Sequence, residues 1–204
     1  PRPGFYKQDL PEIINYVPTY GHPGTDIPFT SGLSNDGFES SIPTGRISAY
    51  TSDEVGAYLD KVIEMEALPF DNFWRKNSLL LSGGLTAGEQ STFRSFIEDF
   101  EDVLNNHFLG GNSKLISKEK SEAVSEFDVT TEINEGVSLV TFFGHSSAST
   151  SDIEVGLVSN DELGYTNKGR YPVFLVNGCN AGNFYAAETI NSTRIFGDDW
   201  ILTP

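Results

Sequence analysis

The chain of 204 residues carries 38% hydrophobic and 12% aromatic side chains, enough apolar material to bury a core, and one domain is expected over residues 1–204. Its 29 acidic against 13 basic residues leave a formal net charge of -16, which excludes the basic footprint that nucleic acid or an anionic membrane requires. A single cysteine excludes an intrachain disulfide, and no apolar run reaches the length of a membrane span.

Residues 1 to about 50 read as loop, because prolines at 1, 3, 11, 18, 23, 28 and 43 alternate with glycines and asparagines. Within that stretch Tyr16 to Asp26, which includes His22, is a polar loop in which Asp26 either serves a site or holds a turn. The first helix is predicted from Ser52 to about Ala67. Thr51 and Glu54 have capping-box spacing, Val55, Leu59, Val62 and Ile63 recur at helical intervals, and Pro69 closes the segment. That helix is expected to cover a sheet face. Asn77–Ser82 is a short apolar strand stopped by Gly83 and Gly84, and a helix follows from about Ala87 to His107 with Phe93, Phe96, Ile97, Phe100, Val103 and Leu104 on one stripe.

Residues 110–126 are polar and read as a connection, and Asp128 to Asn134 as a short helix. The run from Ser138 to Phe143 and the run from Tyr171 to Asn177 are continuous apolar segments rich in β-branched and aromatic residues, the pattern of buried parallel strands. A long loop, residues 146–170, separates them. Strands alternating with helices predict an α/β fold with a mainly parallel sheet flanked by helices. The absence of an initiating methionine, and an apolar stretch that has barely begun at Trp200, suggest a piece of a longer chain.

Each of the two apolar runs ends at a glycine followed by a reactive residue: Gly144 then His145, Gly178 then Cys179. Ligands of open α/β sheets bind at the carboxyl ends of strands, so this is where chemistry is expected. A thiolate is a strong nucleophile, but a free thiol with a pKa of ~8.5 needs a base beside it at neutral pH. His145 is the available base. The alternative is a small buried cysteine near an unrelated histidine. The spacing 179 − 145 = 34 residues suits two parallel neighbours joined by a crossover. The backbone amides of Ser146 and Cys179 are candidates for an oxyanion hole, a device worth ~3 kcal/mol per donor in acyl transfer. His22, His107 and His145 are far apart and no second cysteine exists, so no metal site and no cofactor are expected. Asp152 and Glu154 are candidates for binding a substrate cation, against the plainer reading of solvated loop charges.

The strings Gly144-His145 and Asn177-Gly178-Cys179-Asn180-Ala181-Gly182 each follow an apolar strand. With the upstream segment from Gly45-Arg46 through Glu54, Leu59, Lys61 and Glu66, they resemble the gingipain family of cysteine peptidases, peptidase family C25. More narrowly, they resemble its sortase-like members associated with type IX secretion. The resemblance covers the chain from about Tyr20 onward. It implies a caspase-like fold, a catalytic His145 and Cys179 on successive strand ends, and cleavage or transpeptidation of exported proteins at the periplasm or cell surface. Its implied partners are a protein or peptide substrate and components of a secretion system. The family also places an orienting carboxylate in a loop upstream of the histidine, where this chain has Glu89. Thr86 and Glu89 are spaced as a capping box too, which is sufficient reason for a glutamate. Ser146 and Ser147 stand where the family usually has glycine and a second small residue, and the aromatic that commonly follows has no counterpart in residues 148–154.

Two other classes fit parts of the chain. Gly144 to Ala148 approximates the nucleophile elbow of α/β-hydrolases with Ser146 as nucleophile, although no histidine follows residue 145. An inactive family member serving as a binding or structural part of a secretion assembly is the other.

Overall fold

The computed structural model describes residues 19–20, 25–33, 37, 39–184 and 194–204. His22 and most of the N-terminal prolines lie outside the described residues. The chain divides into two compact units, residues 1–48 and 49–204.

In the first unit the described residues hold one short turn of 3-10 helix, Ile27–Phe29, and the isolated bridges Tyr20 to Thr25 and Ser31 to Ser40. Thr30 Oγ1 shares hydrogen bonds with the hydroxyls of Ser40 and Thr44 at 2.6 and 2.9 Å. Asp26 accepts two bonds from the Arg46 guanidinium, at 2.6 and 2.8 Å, and that pairing holds its carboxyl below the ordinary range. A fork-to-fork pair of this kind fixes two segments in one geometry.

The second unit contains helix α1 (Ser52–Ala67), strand β1 (Asn77–Ser82), helix α2 (Ala87–Leu104) and strand β2 (Asn112–Ser117). Strand β3 (Ser125–Glu126), helix α3 (Thr130–Glu135), strand β4 (Leu139–Phe143) and strand β5 (Ile153–Glu154) come next, then strand β6 (Val173–Asn177) and helix α4 (Phe196–Leu202). Both long helices begin at a complete capping box: Thr51 with Glu54, and Thr86 with Glu89. The main sheet has the order β2-β1-β4-β6 and every pairing is parallel, so the predicted α/β class with a parallel sheet is the one observed. Strands β3 and β5 form a separate parallel pair.

Alternate residues of each strand point to opposite faces. Leu79, Val140 and Phe174 are register partners, as are Leu81, Phe142 and Val176. On that face they build the core with Val129, Ile133, Ile153, Val155 and Trp200. The intervening set, Leu80, Thr141 and Leu175, then Ser82, Phe143 and Asn177, points to the other face, where α2 lies.

Four of these elements escaped the sequence reading, β3 among them, two residues long inside the stretch read as connection. β2 lies inside the stretch read as connection: it is an edge strand, and edges tolerate the polar and lysine residues of Asn-Ser-Lys-Leu-Ile-Ser. β5 lies inside the long loop and is two residues long, below what periodicity can register. α4 opens at Phe196, where the sequence showed only the start of an apolar stretch, and it buries Trp200 and Leu202. The helix predicted to His107 stops at Leu104, and the short helix predicted from Asp128 starts at Thr130, with Asp128 accepting the Thr130 N–H. Helix α1 packs against α4 through Lys61, whose ammonium donates to the Trp200 and Ile201 carbonyls, and its stripe residues Leu59 and Ile63 stay exposed. No helix among the described residues is long and apolar enough to cross a membrane.

Candidate active site

β4 and β6 are parallel neighbours, and their last register partners are Phe143 and Asn177. His145 and Cys179 each stand two residues further along. Parallel strands lie ~4.8 Å apart, so both residues follow at one rim of the sheet, and the His145 ring lies on the side of Phe143, against Phe93. That is the α2 side. Gly144 still donates to the Asn177 carbonyl at 3.2 Å, which carries the pairing one step past the strands. Beyond Cys179 the chain turns sharply: Asn180 has a φ of 58°, a left-handed conformation that asparagine tolerates well.

The two strand ends are also joined by a side chain. The Ser146 hydroxyl donates to the Cys179 carbonyl at 2.7 Å. That closeness requires glycine at 178, because a Cβ there would sit 2.3 Å from Ser146 Oγ and 3.1 Å from the Phe142 ring. The Ser146 proton is therefore spent on a carbonyl, with no base beside it, which removes the support for a serine nucleophile. Neither the Ser146 nor the Cys179 amide donates a hydrogen bond among the described residues. The Cys179 thiol is exposed.

Helix α2 supplies the other wall. Glu89 in its first turn brings Oε2 to 3.5 Å from His145 Nε2. This is a charge contact rather than an aligned hydrogen bond, since Nε2 is covered from solvent and makes no bond of acceptable geometry. The same Oε2 accepts the Leu85 and Thr86 amides at 2.9 and 3.2 Å. The Leu85 amide above all, with the Thr86 amide and His145 adding, holds the Glu89 carboxyl below its usual range against the opposing effect of burial, which is second only to Leu85. Capping and contact with the imidazole are thus two uses of one carboxylate. Phe93, one turn further along α2, packs its ring against His145 at 5.7 Å and against Phe143 at 5.1 Å. The sequence reading placed Phe93 only on an apolar stripe; its position four residues after Glu89 was the signal that both face the same neighbour.

The Asp152 and Glu154 carboxylates are taken up by backbone amides. Asp152 is 3% exposed and accepts the Gly84 amide, and Glu154 accepts the Gly156 and Ser151 amides. Burial pushes the Glu154 carboxyl up, with those two amides opposing and the charge of Glu126 adding. Among the described residues no group of histidine, cysteine and carboxylates is arranged to hold a metal ion.

The model of peptidase family C25 matches residues 3–204. Two solved structures are similar. One is the crystal structure of the Arg-specific cysteine proteinase gingipain R, at 19% identity and a TM-score of 0.68, over 92% of this chain and 42% of that one. The other is the complex of Porphyromonas gingivalis RgpB pro- and mature domains, at 18% identity and a TM-score of 0.68, over 98% of this chain and 49% of that one. The chain thus spans less than half the length of the structures it resembles. No curated protein matches.

Proposed function

Because the chain belongs to peptidase family C25, we propose that it is a cysteine endopeptidase whose nucleophile is Cys179 and whose general base is His145. The observation that carries this reading is the shared rim: two residues able to do chemistry at equal offsets beyond register partners, one of them with its imidazole against Glu89. With Nε2 covered and turned toward Glu89 at 3.5 Å, Nδ1 is the nitrogen that takes the thiol proton. The thiolate attacks a peptide carbonyl, and the oxyanion forms against the Ser146 and Cys179 amides. His145 then protonates the leaving amine, which leaves a thioester. Water or a second amine resolves it, giving hydrolysis or transpeptidation.

We place the chain further with the export-associated, sortase-like members, acting on protein or peptide substrates at the periplasm or cell surface alongside secretion components. The support is the pair of strand-end motifs, Gly144-His145 and Asn177 to Gly182. A glycine-based acceptor peptide added during turnover separates the two outcomes, since transpeptidation yields a ligated product visible by mass.

Thiol labelling tests the core of the proposal. At pH 7 a free thiol is only a few per cent thiolate, so an activated Cys179 is expected to react with iodoacetamide about tenfold faster than a model thiol, after allowing for its lower intrinsic nucleophilicity. His145→Ala removes that advantage. Glu89→Gln lowers the rate while leaving helix α2 stable, because glutamine still completes a capping box. Parental labelling no faster than the model thiol rejects the enzymatic reading and favours an inactive, binding member of the family.

A further inference from the structure

Asp152 lies buried beneath the carboxyl rim, and its surroundings are built around it. Its Oδ2 accepts the Gly84 N–H at 2.7 Å, while Oδ1 has no hydrogen-bond partner among the described residues. A Cβ on Gly83 would sit 2.1 Å from Oδ1, and one on Gly144 would sit 2.5 Å from it, so both strand ends can approach the carboxylate only as glycine. The Asp152 backbone N–H donates to the His145 carbonyl at 2.8 Å, and its own carbonyl accepts the Ser125 N–H at 3.0 Å. A carboxylate held by one hydrogen bond in the interior is a costly arrangement.

These contacts close a ring. From Glu89 it runs through the Leu85 and Thr86 amides to Gly84, across the Gly84 hydrogen bond to the Asp152 side chain, along Asp152 to its amide, and over to the His145 backbone. The imidazole then returns to Glu89. Every other link in the ring is backbone, or belongs to the pair being held. Asp152 is the side chain that joins the β1 turn to the β4 turn.

We infer that Asp152 is a positioning residue, setting the separation between the Glu89 carboxylate and the His145 imidazole. The inference rests on His145 and Glu89 acting as a pair. It explains why an acidic residue of the loop after β4 is drawn inside rather than left in solvent with a substrate.

The test compares Asp152→Ala, Asp152→Asn and Glu89→Gln, with three readouts: the iodoacetamide rate at Cys179, the imidazole ¹⁵N resonances of His145, and the thermal midpoint. In Asp152→Ala the Gly84 amide loses its acceptor. Labelling is expected to fall about tenfold, to the Glu89→Gln level, and the His145 resonances to shift while those of His107 stay in place. Asparagine still offers an oxygen to Gly84, so Asp152→Asn recovers to within a few-fold of the parent. The double variant with Glu89→Gln labels within about twofold of Glu89→Gln alone, because both changes act through one contact. A purely structural role would lower the thermal midpoint and leave the His145 resonances of the folded protein unmoved; that result overturns the inference, as does additivity in the double variant. If Asp152→Ala does not fold, Asp152→Ser, whose shorter side chain falls short of the Gly84 amide, decides the matter: shifted His145 resonances support the inference and unmoved ones overturn it. Those resonances report on Asp152 even if parental labelling shows no activation, so failure of the peptidase reading and failure of this one are told apart.

Discussion

Cys179→Ser lowers kcat/KM for peptide cleavage by about a thousandfold or more while the thermal midpoint stays at the parental value. The stability half follows from exposure: the thiol packs against nothing that oxygen would disturb. The activity half follows from acidity. A thiol can hand its proton to an imidazole before the peptide bond is attacked, whereas a hydroxyl must lose its proton during attack, and a site arranged for a thiolate–imidazolium pair is poorly suited to that. His145→Ala gives a loss of the same order, and the double variant is hardly worse than either single one, because the two groups act as a unit. Hydrolysis of a peptide substrate by the intact protein, followed for each variant beside its melting curve, is the measurement. Retention of a tenth of the parental rate in Cys179→Ser shows that the sulfur is not the nucleophile.

Leu79→Ala destabilises the second unit by about 2–5 kcal/mol, which for a domain of this size lowers the melting temperature by about 10 °C. Leu79 lies in β1, between β2 and β4, is 0% exposed, and belongs to the core face with Val140 and Phe142. Truncation leaves a cavity that a close-packed interior cannot refill. Leu175→Ala provides the contrast. That residue is 49% exposed on the opposite face of β6, and its replacement changes stability by about 0.5 kcal/mol or less. Thermal melts of both variants decide the matter, and equal losses show that the assignment of faces is wrong.

Much of the fold was legible in the chain because its signals are local. Thr51 with Glu54 and Thr86 with Glu89 mark helix starts through bonds that span three residues, and the structure completes both. The apolar runs into Gly83 and Gly144 mark buried parallel strands, since a strand covered on both faces has no polar side to show, whereas the run into Gly178, which read as buried too, forms the edge strand β6 with Val173, Leu175 and Asn177 exposed. Where that condition failed, reading failed as well. β2 at the sheet edge carries Asn112, Ser113 and Lys114 and gives no apolar run, and the two residues of β5 give no period.

The candidate site divides along the same line. Sequence by itself determined that a histidine and a cysteine each follow a strand and a glycine, and that Glu89 opens a helix. Each of those facts is carried by residues a few positions apart. Only the tertiary structure decided that Phe143 pairs with Asn177, so that residues 145 and 179 follow at one rim of the sheet. It also decided that Glu89 reaches the imidazole while capping its own helix, and that Ser146 gives its proton to the Cys179 carbonyl. Asp152, an acidic residue in a loop of serines and threonines, reads from sequence as solvated, yet it is enclosed by Gly83, 69 positions earlier in the chain, and by Gly144. The physical reason is register: which side chains meet depends on how distant strands align, and a shift of one residue would send every one of them to the other face.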